Sequence, residues 1–147
     1  MKTDSSNKTE ASRGSRPTVA AVLNTSADVI DLLRRALEQA GIVTVTGFTH
    51  EIRDGGIDFD AFIGQHNPDV IVYDIAPPYD ANWRLFQHLS RRPIAAGRQF
   101  VLTAVNSAHV EKLVGGDQSV YEVIGKPDDL GRIARAVKEA GRVRPTR

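Results

Sequence analysis

Short unbroken apolar runs, each followed by a segment with helical spacing, constrain this chain more than any other feature. Val19-Ala20-Ala21-Val22-Leu23 and Val70-Ile71-Val72-Tyr73 carry apolar side chains at consecutive positions. A strand with one wet face would alternate apolar and polar residues, so these runs suit strands covered on both faces, as in a parallel sheet. After the first run, Asn24, Thr25 and Ser26 end the strand. Val29, Ile30, Leu33, Ala36, Leu37 and Ala40 then recur at helical spacing as far as Gly41, a common helix stop. The unit repeats in kind: a strand over Ile42–Thr46, a polar glycine-containing connection over Gly47–Gly56, and a helix from Ile57 to Gln65 broken by Asn67-Pro68-Asp69. Then follow a strand over Val70–Ile75, a helix over Ala81–Arg91, a strand over Gln99–Val105 and a helix over Ala108–Val114. A strand over Val120–Ile124 and a helix over Asp128–Ala140 complete the pattern. Five strands alternating with five helices predict a doubly wound α/β sandwich with a five-stranded parallel sheet, because parallel neighbours need helical crossovers.

Composition narrows the function classes. A chain of 147 residues, 41% hydrophobic and 25% charged, has room for one domain with a real core. It contains no cysteine, which excludes disulfides, thiolate nucleophiles and cysteine-ligated metal. A formal charge of +1 gives no overall attraction to nucleic acid or an anionic membrane. No apolar run reaches the roughly 18 residues of a spanning helix, so a cytoplasmic location without membrane contact is expected. Residues 1–16 lack aromatic and branched aliphatic side chains and are expected to be a disordered tail. The folded unit is expected over 17–141, followed by a short basic tail over 142–147.

In doubly wound sheets, ligands gather beyond the carboxyl ends of the strands. Those ends offer Asn24 and Thr25 after the first strand, Asp74 after the third, Thr103 and Ala104 after the fourth, and Lys126-Pro127 after the fifth. A carboxylate can accept a phosphoryl group as an acyl phosphate. A threonine hydroxyl can hydrogen-bond a phosphate oxygen, and a lysine can neutralise its charge. Lys126-Pro127 also suits a turn with a cis peptide bond that aims the lysine inward.

Over Thr18 to Gly141 the sequence resembles the receiver domain of two-component response regulators. The matches are VIVYDIAPP, with Pro77 three residues after the acid; Thr103-Ala104 in VLTA; and Lys126-Pro127 in VIGKPDDL. The resemblance implies a flavodoxin-like sheet of strand order 2-1-3-4-5. It also implies Asp74 as phosphoacceptor, Thr103 as switch hydroxyl, Lys126 as charge partner of the phosphoryl group, and the backbone carbonyl of Ala76 as a magnesium ligand.

The departures are equally informative. The family usually places two adjacent acids after the first strand to hold Mg2+, where this chain has Asn24-Thr25. Magnesium is commonly anchored by one or two carboxylates, so Asp74, Ala76, Asn24 and Thr25 form a weakened metal set. Asp28, one helical turn on, is expected to point outward. The family's aromatic switch position is Val123 here, with Tyr121 at the same strand parity, and Gly47–Gly56 is long for the family. Histidines 50, 66, 88 and 109 share no ligand spacing, while Trp83 and Phe86 read as packing residues. The basic residues of the last helix and tail read as a solvated face.

The resulting expectation is a stand-alone atypical receiver, not an enzyme, that signals in a phosphorelay through protein contacts. Its partners would be a histidine kinase, another signalling protein or a second copy, meeting the face of the Ala108–Val114 helix, the fifth strand and the Asp128–Ala140 helix. The alternative is a phosphorylation-independent scaffold. A small-molecule-binding flavodoxin-like domain lacks a Gly-rich phosphate loop after the first strand. Nucleic-acid binding through the basic C-terminus ranks below both.

Overall fold

The computed structural model describes residues 16–125 and 129–143. Five strands, β1 (Val19–Asn24), β2 (Val43–Phe48), β3 (Val70–Asp74), β4 (Gln99–Thr103) and β5 (Val120–Ile124), form one parallel sheet in the order β2-β1-β3-β4-β5. Helix α1 (Ala27–Gln39) joins β1 to β2, and α2 (Thr49–Asp54) and α3 (Phe59–His66) lie between β2 and β3. Helix α4 (Tyr79–Ser90) and a 3-10 turn over Pro93–Ala95 precede β4, α5 (Ser107–Val114) precedes β5, and α6 (Leu130–Gly141) follows it. The order 2-1-3-4-5 is therefore as expected.

Alternation along each strand sorts the core into two layers. Ala21, Leu23, Ile71, Tyr73, Phe100 and Leu102 face α2 to α5, where Ile52, Ile63, Phe86 and Val110 pack on them. Ala20, Val22, Val70, Val72 and Val101 face the opposite layer, built by Leu33 and Leu37 of α1 with Ile133 and Val137 of α6. Each fully buried aliphatic side chain contributes about 1.5–3 kcal/mol of transfer free energy, so the unbroken runs are the sequence's record of a sheet covered twice. Trp83 and Phe86 are packing residues: Phe86 stacks with Trp83 at 5.1 Å, Tyr73 at 5.3 Å and Phe100 at 4.9 Å between centroids.

Six α-helices stand among the described residues where five are expected. The stretch Gly47–Gly56 is not a plain connection. Strand β2 runs on to Phe48 and the chain then turns directly into α2, which ends at Gly55 with φ of 90°, a left-handed position that glycine adopts without a Cβ penalty. Only Thr49 and Ile52 of this helix are buried. Two inward positions give too weak a periodicity to announce a helix, and this helix occupies most of the segment expected as a connection. Helix α3 begins at Phe59, two residues later than expected, because Asp58 caps it by accepting the Ala61 amide at 3.1 Å. The Val120–Ile124 strand has the expected bounds, whereas β4 ends at Thr103 rather than Val105.

The two ends of the sheet differ in how they treat polar groups. At the N-terminal edge they are closed off: Asp69 accepts from Arg16 at 2.8 Å and from the Val19 amide at 2.9 Å. Arg98 there donates to the Ile94, Asn67 and Pro68 oxygens. Arg16 thus belongs to the folded unit, while the rest of the expected N-terminal tail lies outside the described residues, as do 144–147 of the basic tail. No helix among the described residues is long and apolar enough to cross a membrane.

Candidate functional site

The carboxyl edge of the sheet carries the opening. Asp74 ends β3 and Thr103 ends β4, and the two are paired in the parallel register. Thr103 is fully buried, and its hydroxyl donates to Asp74 Oδ1 at 2.6 Å. Burial raises the Asp74 carboxyl above its ordinary value, because desolvation penalises the charged form; the Thr103 hydrogen bond acts in the opposite sense. Beside them lies a cavity of about 100 Å³, whose lining includes Thr25, Thr49, Arg53, Asp74, Ala76 and Asn82. Of the residues named from the sequence, Asp74, Thr103, Thr25 and Ala76 stand together at this edge.

Asn24 takes a different part. It is buried, and its Oδ1 accepts the amides of Thr25 at 2.7 Å and Ser26 at 3.0 Å. The side chain thus folds back over the turn into α1, a local bond pattern that asparagine favours. Ala76 is likewise engaged, its carbonyl accepting from Asn82 Nδ2 at 2.6 Å. Asp28 is exposed, as expected. Val123 is buried in the core, whereas Tyr121 is partly exposed and its hydroxyl donates to Glu139 of α6 at 3.2 Å. Tyr121 is thereby tied to α6 and is not part of the cavity lining. Lys126 and Pro127, with the cis peptide bond expected between them, lie outside the described residues; the cis bond among the described residues is Pro77-Pro78.

Three lining residues escaped the sequence reading. Asn82 comes from the first turn of α4, and Thr49 and Arg53 come from α2. The one available signal for Thr49 and Arg53 was their i, i+3, i+4 spacing with Ile52, which brings all three to one side of a helix. Among the described residues Asp74 is the one carboxylate of the lining and Arg53 the one cation.

A response regulator from Thermotoga maritima superimposes with a TM-score of 0.65 and 14% identity, covering 84% of this chain and 97% of that one. The chemotaxis response regulator CheY4 of Vibrio cholerae gives 0.65 and 13% over 84% and 98%. The receiver domain of nitrogen regulatory protein C gives 0.63 and 20% over 84% and 94%. The fold is that of a response regulator receiver domain. No family model matches the sequence, and no curated protein matches it.

Receiver domains generally bind Mg2+ beside the phosphorylated aspartate, and the donor set tests whether this one fits. Magnesium needs hard oxygen donors, several of them free to coordinate. Here the Asn24 oxygen holds two amides, the Ala76 carbonyl holds the Asn82 amide, and a guanidinium shares the cavity. No cluster of three His, Asp or Glu side chains exists among the described residues. With Asp74 as the one carboxylate of the lining among the described residues and the Asn24 oxygen already holding two amides, the residues do not fit a magnesium site of the receiver kind.

Proposed function

We propose that this chain is an atypical receiver module of two-component signalling in which Asp74 accepts a phosphoryl group and the result is passed on by protein contact. One observation carries the reading: a carboxylate at the end of the central β3 strand is held by the hydroxyl of the neighbouring strand and opens into a small cavity. In the transfer, an Asp74 oxygen forms a bond to phosphorus. The bond from phosphorus to the donor, an imidazole nitrogen of a phosphohistidine, breaks with its electron pair remaining on the donor. Thr103 would then have a phosphoryl oxygen to bond in place of the carboxylate. The chain is a substrate in this step and not an enzyme. Lys126 would balance the added charge, as the resemblance implies.

The outward surface proposed for a histidine kinase, another signalling protein or a second copy is that of α5, β5 and α6. Val105, 78% exposed just past Thr103, lies at its edge. Arg132 of α6 bonds Glu122 of β5 at 2.9 Å across it. Such a position suits relay, because a change at Thr103 needs to move only one loop to alter the exposed face.

A phosphorylation-independent scaffold is the second reading, and the occupied Asn24 and Ala76 oxygens favour it. Intact-mass measurement after incubation with acetyl phosphate, and separately with a histidine kinase, decides between them. The first reading expects one added phosphoryl group that is lost in Asp74→Asn; an unchanged mass under both donors assigns the chain to the scaffold class.

A further inference from the structure

The geometry points to Arg53 as the group that binds the phosphoryl oxygens at Asp74, in the place where other receivers use a metal ion. The inference rests on the phosphoacceptor reading of Asp74 and names what would stabilise the product. Its basis is the juxtaposition of a guanidinium from helix α2 and the β3 carboxylate on one cavity of about 100 Å³.

Charge sets the problem. Among the described residues the lining carries one carboxylate and one guanidinium, which sum to zero. A phosphoryl group brings about −1.5 to −2 charges, so the product needs cations beside it. The usual solution is a divalent ion held by an acid pair, and this chain has Asn24-Thr25 there, with the Asn24 oxygen turned to backbone amides. A guanidinium would compete with a metal ion for the same position by like-charge repulsion. It also offers a planar fork of N–H donors that matches two phosphate oxygens at once.

The resting contacts leave Arg53 available. Its Nε donates to Asp54 Oδ1 at 3.1 Å, with the two side chains 56% and 64% exposed. Such solvent-screened pairs hold their partners weakly. Asp74 Oδ1 is meanwhile held by Thr103, so carboxylate and guanidinium stand on the same cavity with separate partners. Helix α2 is fixed by Thr49 and Ile52, both buried, and Ile52 directly precedes Arg53 in the chain. Helix α2 thus anchors the backbone and leaves the long side chain free to swing from Asp54 to a phosphoryl oxygen.

The test uses acetyl phosphate as donor, which loses acetate with the electron pair of the broken P–O bond as the Asp74–phosphorus bond forms. Initial rates are read by intact mass in excess EDTA and in excess Mg2+, for wild type, Arg53→Ala, Arg53→Lys and Asp74→Asn. The expected result is an Asp74-dependent gain in wild type with equal rates in EDTA and Mg2+. Arg53→Ala should slow it by about ten- to a hundredfold, the cost of removing a hydrogen bond to a charged group, with partial recovery in Arg53→Lys and none from Mg2+. A thermal melt of Arg53→Ala that overlays wild type shows that folding is not the cause. Wild-type phosphorylation that requires Mg2+, or that is indifferent to Arg53→Ala, overturns the inference and leaves the phosphoacceptor reading standing. No Asp74-dependent gain in any condition overturns both.

Discussion

Replacing Thr103 by valine probes the bond on which the site rests. Valine keeps the β-branched shape and fills the buried position, so the main loss is the 2.6 Å hydrogen bond to Asp74 Oδ1. A hydrogen bond to a charged group is worth about 1.5–3 kcal/mol and a neutral one about 0.5–1.5. Asp74 borders the cavity, where water can take over part of the missing contact, so the lower half of the charged range applies, about 1.5–2 kcal/mol at neutral pH. The pH dependence carries the stronger test. Burial raises the folded-state pKa of Asp74 and the Thr103 bond lowers it, so removing the bond raises it further. A carboxyl whose folded pKa lies above its unfolded value contributes stability that is fully present below the unfolded value, about 3.9, and lost as pH rises through the folded pKa. The cost of Thr103→Val should therefore be near that of a neutral bond at about pH 4, about 0.5–1.5 kcal/mol, and grow toward pH 7. Urea unfolding across that range measures it, with the same substitution in an Asp74→Asn background as the control. A cost that is independent of pH, and equal in both backgrounds, would show that the hydroxyl merely fills space and would refute the electrostatic account.

Three other outcomes follow from the same structure. Asp74→Asn should raise unfolding stability at neutral pH and lose that advantage as pH falls toward the unfolded carboxyl value, because it removes a charge that burial disfavours; paired urea curves at the two pH extremes read it directly. Phe86→Ala should destabilise by about 3–5 kcal/mol, since Phe86 is fully buried and touches three other aromatic rings. Denaturant midpoints would reveal a wrong assignment if the loss were below about 1 kcal/mol. Asn24→Asp combined with Thr25→Asp adds two carboxylates beside Asp74 and should create magnesium binding that calorimetry detects, with none in wild type; equal heats in the two proteins would contradict the account of the donor set.

How much of this was legible in the sequence depends on the kind of signal. The sheet was readable because β1, β3 and β4 are covered on both faces, so every residue of VIVY had to be apolar, and the strand ends followed from turn residues. Asp74 was readable as the acid in an otherwise apolar run, and Thr103 through the Thr103-Ala104 pair of VLTA. Helix α2 was not, since two buried residues in six leave no periodic stripe, and with it went Thr49 and Arg53. The turning back of Asn24 was hidden for another reason: an asparagine after a strand suits a metal ligand and a turn cap equally well, and only the positions of the Thr25 and Ser26 amides separate the two.

These two omissions have a common consequence. In a receiver with two acids after β1, a guanidinium entering the cavity would pair with them and compete with the metal. Once the acids are an amide and a hydroxyl, that pairing disappears. The Asn24 side chain can then close the β1–α1 turn, and the space beside Asp74 admits a cation carried by the protein itself. The direction of compensation is testable within one molecule: making Asn24→Asp and Thr25→Asp without removing Arg53 should draw the guanidinium onto the two introduced carboxylates and weaken magnesium binding relative to the same change made with Arg53→Ala. The amide and hydroxyl after β1 and the guanidinium from α2 then act together in the chemistry of the pocket, and the order of magnesium affinity between those two variants decides it.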